Sequence, residues 1–137
     1  MTEEIIIDAE NAVLGRLASY SAKKSLEGKE IKILNCEKAI ILGREHNILA
    51  RYAKKKSRGG YGKGPIIPTT SERIVKRTIR NMLPYKQERG RTALKRIKCY
   101  KGIPKEFEGK KIIKSSGKRT GMSLKKLEKM LRGKYEQ

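Results

Sequence analysis

The chain has 137 residues, enough for one domain with a modest core. It carries 35 Lys plus Arg against 14 Asp plus Glu, a net of +21, and self-repulsion on that scale opposes compaction unless a polyanion neutralises it. No apolar run approaches the ~20 residues that span a bilayer, and two cysteines with one histidine are too few for a four-ligand Cys/His zinc site within one copy.

The acidic start Met1-Thr2-Glu3-Glu4 leads into only three isoleucines and does not read as a signal peptide; a soluble, cytosolic protein is expected. Ile5-Ile6-Ile7 is a continuous β-branched run, predicted to be a strand buried on both faces. Asp8 to Asn11 make a polar turn. Val13, Leu14, Leu17, Ala18 and Ala22 then recur at helical spacing through about Leu26, and Gly28 stands where a C-terminal glycine cap belongs. A second strand is predicted over 30–35, with Ile31 and Ile33 alternating with polar residues, and a third over 39–42, closed by Gly43. Strand, helix, strand suggests a βαβ unit with a right-handed crossover. Residues 1–40 hold six basic and seven acidic residues, as an ordinary soluble core would.

Beyond Gly43 both the pattern and the charge change: residues 41–137 hold 29 basic and seven acidic residues. Ile48, Leu49, Tyr52 and Ala53 mark a helix that runs into Lys54-Lys55-Lys56. Residues 57–70 read as a loop with four glycines and two prolines, long enough to be expected either functional or disordered. Thr69-x-x-Glu72 fits a capping box for a helix over 71–83 that Pro84 ends. On that helix Arg73, Lys76, Arg77 and Arg80 fall within an arc of ~100°, opposite Ile74, Val75, Ile79, Met82 and Leu83. A basic helix over 88–96 leads to a strand near 97–100, and 103–121 reads as irregular. A short helix starts at Ser123, with Leu124, Leu127, Met130 and Leu131 on one side. One domain is expected, with its core over about 4–102 and a basic extension over 103–137.

Two segments carry chemistry. From Arg51 to Gly64 there are six cations and no acid: Arg51, Lys54, Lys55, Lys56, Arg58 and Lys63, with Tyr61 among them. Glycines allow close approach to phosphates, cations release counterions, and an exposed tyrosine can stack on a splayed base. The bland alternative is a solvated charge run, but the next segment repeats the pattern. From Arg73 to Lys101 there are 11 basic residues and one acid, Glu88. A solvated helix face ordinarily mixes signs; this one does not, so a bound polyanion is expected. The candidate contacts there are Arg73, Lys76, Arg77, Arg80, Lys86, Arg89, Arg91 and Lys95, with Tyr85 as a second stacking residue.

Charge does not identify the sugar, so a general DNA-binding protein shares this logic. A nucleotide-dependent enzyme on an α/β scaffold is disfavoured, because both GxGxxG after the first strand and GxxxxGK[ST] are absent. Asp8 reads as a turn cap and His46 as a residue at the start of a helix without an acid–base partner in sequence. Cys36 and Cys99 read as small buried side chains near strand ends. No cofactor, metal, membrane or small-molecule substrate is expected.

Four separated segments, IIIDAENAVLGRLAS (5–19), ILNCEKAIILGR (33–44), RIVKRTIRNMLPYKQERGR (73–91) and LKRIKCYKG (94–102), together resemble the universal large-subunit ribosomal protein thirteen family, in its archaeal and eukaryotic branch. The resemblance implies an α/β fold, a three-layer α/β/α sandwich around a small, mainly parallel four-stranded sheet of order 3-2-1-4. It also implies a structural, non-catalytic protein that binds large-subunit ribosomal RNA beside neighbouring ribosomal proteins and joins the particle early in assembly. Asn81 stands where that family usually has glycine before Met-Leu-Pro. The bacterial histidine-proline pair after the last strand is replaced by Ile103-Pro104-Lys105-Glu106.

Overall fold

The computed structural model describes residues 3–57, 70–107, 112–114 and 121–133, and their side chains except at 55–57, 114, 132 and 133. In chain order the elements are β1 (Glu4–Asp8), α1 (Leu14–Leu26), β2 (Glu30–Leu34), β3 (Ile40–Ile41) and α2 (Glu45–Ser57). They continue with α3 (Ser71–Met82), α4 (Glu88–Lys95), β4 (Ile97–Cys99), β5 (Ile113–Lys114), β6 (Met122–Ser123) and α5 (Leu124–Gly133).

The opening unit forms as its pattern predicts. β1 and β2 run parallel, Ile5 beside Ile31 and Ile7 beside Ile33, with α1 between them in sequence. Helix α1 ends because Gly28 turns left-handed at φ +97°, a conformation that a side chain resists. There the Gly28 and Lys29 amides close the helix by donating to the Ser25 and Lys24 carbonyls. Ile5, Ile6 and Ile7 are all buried, but on two different sides. Ile5 and Ile7 join Ile31, Ile33 and Ile97 in a large core with Leu14, Leu17, Ile48, Ile74, Val75, Ile79, Ala93, Leu124, Leu127 and Leu131. Ile6 joins Leu34 and Phe107, with Tyr100 and Ile112 alongside. Each such aliphatic side chain removed from water contributes roughly 1.5–3 kcal/mol.

The class is mixed α/β with a small, mainly parallel sheet, and four details differ from expectation. First, the main sheet has the order β4-β2-β1-β5, and the strand expected third, at 39–42, does not enter it. Asn35 adopts φ +56° and a 3-10 turn over Cys36–Lys38 swings the chain away. β3 pairs instead antiparallel with β6, Ile40 opposite Ser123 and Ile41 opposite Met122. Second, all five helices among the described residues contribute to the core on one face of the sheet. Among the described residues the other face is covered by the 3-10 turn Lys105–Phe107 and Ile112 rather than by a helix layer. Third, the stretch read as irregular holds β5, with β6 directly after it, and Phe107 is buried. Fourth, Met82 is 46% exposed rather than buried, because α3 ends there and Leu83 turns inward.

The start of α3 is also built differently. Thr69, the first residue of the predicted capping box, lies outside the described residues, and the helix N-cap is Thr70, which makes no side-chain cap bond. The partner comes from α5: the buried Glu128 carboxylate accepts from the Ser71 amide (3.3 Å) and hydroxyl (2.7 Å), and from the Lys101 ammonium (2.7 Å). Among the described residues no helix is long and apolar enough to cross a membrane.

Candidate nucleic-acid interface

Helix α3 owes its orientation to its apolar side. Ile74, Val75 and Ile79 are buried in the core, and that fixes where the cations point. Arg73 and Arg80 are exposed, while Lys76 and Arg77 are half-buried. Arg77 lies toward Tyr52 of α2. Burial pushes the Tyr52 hydroxyl above its ordinary pKa, and the charges of Arg51 and Arg77 only partly offset this. The predicted basic stripe is therefore exposed at its two ends and half-buried in the middle.

Pro84 closes α3, and the chain turns at once into α4. The Arg80 guanidinium lies over the Tyr85 ring, 4.4 Å from its centroid, a cation–π contact that steadies both side chains. Tyr85 is half-buried with one face covered in this way. Lys86, Arg89, Arg91 and Lys95 are exposed around the turn and along α4, and Arg89 donates to the Gln87 side chain (3.0 Å). The turn closes because residue 90 has no side chain. A Cβ at Gly90 would lie 2.0 Å from the Pro84 carbonyl oxygen and 2.9 Å from the Tyr85 nitrogen. Among the described residues, none of Arg73, Lys76, Arg77, Arg80, Lys86, Arg89, Arg91 and Lys95 lies within salt-bridge distance of a carboxylate.

The remaining candidates divide. Arg51 and Lys54 are exposed on α2. Lys55 and Lys56 belong to the same helix, but their side chains, and the whole of Arg58, Tyr61 and Lys63, lie outside the described residues. Arg51 and Tyr52 line an open groove of about 450 Å³ with Leu42, Asn81 and Met82. A second groove, of about 460 Å³, separates the end of α1 from α4 and is lined by Leu26, Glu88, Arg89, Thr92 and Arg96. Arg96, not singled out in the sequence, donates to the Ser25 carbonyl (2.9 Å) and ties α4 to the end of α1. The Asp8 carboxylate is committed to the turn, accepting from the Glu10 amide (2.9 Å) and the Asn35 side chain (3.0 Å). His46 is exposed. Neither open groove gathers an acid–base pair: one is lined by the lone acid Glu88 and the other by none.

Residues 2–106 match the protein-family model described as Ribosomal protein L13. The chain belongs to that family. It is 45% identical to the large ribosomal subunit protein uL13 of Archaeoglobus fulgidus over 109 residues, covering 80% of this chain and 70% of that protein. Against the uL13 of Methanopyrus kandleri the identity is 48% over 106 residues, covering 77% and 67%. Against that of Methanosarcina barkeri it is 48% over 109 residues, covering 79% and 78%. Membership makes the chain a ribosomal protein, a structural constituent and not an enzyme.

Proposed function

We propose that the chain is a cytoplasmic constituent of the large ribosomal subunit that binds ribosomal RNA as a single domain and supports early assembly by fixing the register of RNA helices. The observation that carries this reading is the set of exposed cations on α3, α4 and their turn that lack carboxylate partners among the described residues. Unopposed charge of one sign destabilises the free helices, and RNA phosphates remove that cost.

Arg73, Lys76, Arg77 and Arg80 track one RNA backbone, and Lys86, Arg89, Arg91 and Lys95 extend the track along α4. Arg51, Lys54, Lys55, Lys56, Arg58 and Lys63 reach a neighbouring RNA segment, with Tyr61 and Tyr85 as stacking residues. Arginine suits bidentate phosphate contacts, while lysine supplies less directional charge. Phosphate contacts position a protein without reading sequence, so specificity comes from RNA shape. Neighbouring large-subunit proteins complete the surroundings.

The test is the salt dependence of binding to folded large-subunit RNA. Replacing both Lys86 and Arg91 with alanine is expected to flatten the slope of log K against log salt by about one to two units. Both are exposed and outside every ion pair described, so the fold is expected to be unaffected. An unchanged slope removes this turn from the interface. Equal displacement of bound RNA by duplex DNA of the same length favours a general DNA-binding role instead.

A further inference from the structure

The two cysteines are 63 positions apart in sequence, but the fold brings them together. Cys99 ends β4 and stands opposite Ile33 of β2. The pairing continues past the strands: the Tyr100 amide donates to the Ile33 carbonyl (2.8 Å), and the Cys36 amide to the Tyr100 carbonyl (3.1 Å). The Asn35 amide donates to the Gly102 carbonyl (3.0 Å). Both side chains face the same core, Cys36 fully buried within it and Cys99 packed against its edge. The Cys36 thiol donates to the carbonyl of Ile33 (3.6 Å), the residue that stands opposite Cys99, and both thiols are free.

We propose that Cys36 and Cys99 form a dithiol that closes to an intramolecular disulfide when the protein meets a low-molecular-weight disulfide. This goes beyond RNA binding and holds whether or not RNA is bound. Half-exposed Cys99 meets the oxidant first. Its sulfur attacks the small disulfide, R–S–S–R, forming a Cys99 mixed disulfide and releasing one R–SH. The Cys36 sulfur then attacks the Cys99 sulfur and expels the second R–SH. The protein loses two hydrogens and two electrons, and the small disulfide gains both. In the resting state the Cys36 thiol is held far above its ordinary pKa, first by the neighbouring Cys99 side chain, then by burial and by the Cys99 charge. Capping Cys99 removes the first and third of these causes and leaves burial, which favours attack by Cys36 relative to the resting state.

The staple closes the chain from 36 to 99, which contains α2, α3 and α4 and every cation assigned above to RNA. A cross-link over so long a segment restricts the unfolded chain strongly. It joins two segments already held by backbone hydrogen bonds, so the cation-bearing surface keeps its shape.

The test treats the reduced full-length chain with cystamine and reads mass, free thiols and melting temperature. The expected product is monomeric, lighter by two hydrogens and without free thiols, and it melts about 10 °C higher. Dithiothreitol is expected to reverse all three changes. Cys99→Ser is expected to leave Cys36 unreacted in the folded chain, and Cys36→Ala to stop at the Cys99 mixed disulfide. A wild-type chain that retains a stable cysteamine adduct on Cys99, forms disulfide-linked dimers, or keeps both thiols while its circular dichroism stays native overturns the proposal.

Discussion

Replacing Gly90 with alanine is expected to lower stability by roughly 2–3 kcal/mol, read as a fall in the urea midpoint. The added methyl would lie 2.0 Å from the Pro84 carbonyl oxygen, 2.3 Å from its carbon and 2.9 Å from the Tyr85 nitrogen. All three are backbone atoms that a rotamer change cannot move aside. The Pro84 oxygen is also engaged by the Gln87 amide (2.9 Å), so the turn and the first turn of α4 must separate together. Alanine is the better helix former by about 1 kcal/mol, and Gly90 lies within α4. Propensity alone therefore predicts stabilisation, and the clash is expected to win.

Gly15→Ala supplies the contrast. Gly15 is exposed in the first turn of α1 and a Cβ there meets nothing within 4 Å. That variant is expected to be neutral or more stable by up to about 0.5 kcal/mol. If Gly90→Ala behaves like Gly15→Ala, the close approach of α4 to the turn is wrong. The displaced turn also carries Tyr85 and Lys86, so the same variant is expected to weaken RNA binding about tenfold or more, with Gly15→Ala unchanged.

The parts of this fold that were legible in the sequence are those set by neighbours in the chain. Ile5-Ile6-Ile7, the periodicity from Val13 to Ala22 and the glycine at 28 each contain their own physical reason, and all three appear where expected. The apolar side of α3 was legible through Ile74, Val75 and Ile79. Non-local pairing was not. Ala39 to Leu42 looks like a strand in any fold, and nothing within it says that its partner is Met122-Ser123 rather than β2. Ile113 was obscured in a run of lysines and glycines, although it adds a strand beside Ile7. Among the candidate contacts, the sequence placed the cations on helices but did not show the depth of each. Arg77 is half-buried, and its charge acts on Tyr52 of α2, a proximity between segments far apart in sequence. The need for glycine at 90 was equally hidden, since it depends on where Pro84 lies in space and not on residue 90 itself.

Glu128 shows the same limit most clearly and yields the second large expected effect. In the sequence it is one acid among the lysines of α5, the kind of residue that ordinarily lies on a solvated face. In the fold it is 7% exposed and joins three elements, binding Ser71 at the start of α3 and Lys101 after β4. Glu128→Ala leaves the fully buried Ser71 hydroxyl without its acceptor and removes the negative charge at the N-terminus of α3. A cost of about 2–3 kcal/mol is expected, even with the contribution of Lys101 discounted because its side chain is 42% exposed. Burial alone raises the pKa of this carboxyl, but the hydrogen bonds from Lys101 and Ser71 outweigh burial and hold it below its ordinary value. A carboxyl depressed on folding stabilises fully above the unfolded pKa, about 4.3, and that share is lost as pH falls through the lower folded value. Wild-type stability is therefore expected to drop on acidification below about pH 4.3 more steeply than that of Glu128→Gln, which keeps the shape but cannot titrate. Parallel acid limbs for the two proteins in denaturant titrations would remove the charge of Glu128 from the forces holding α5 to α3.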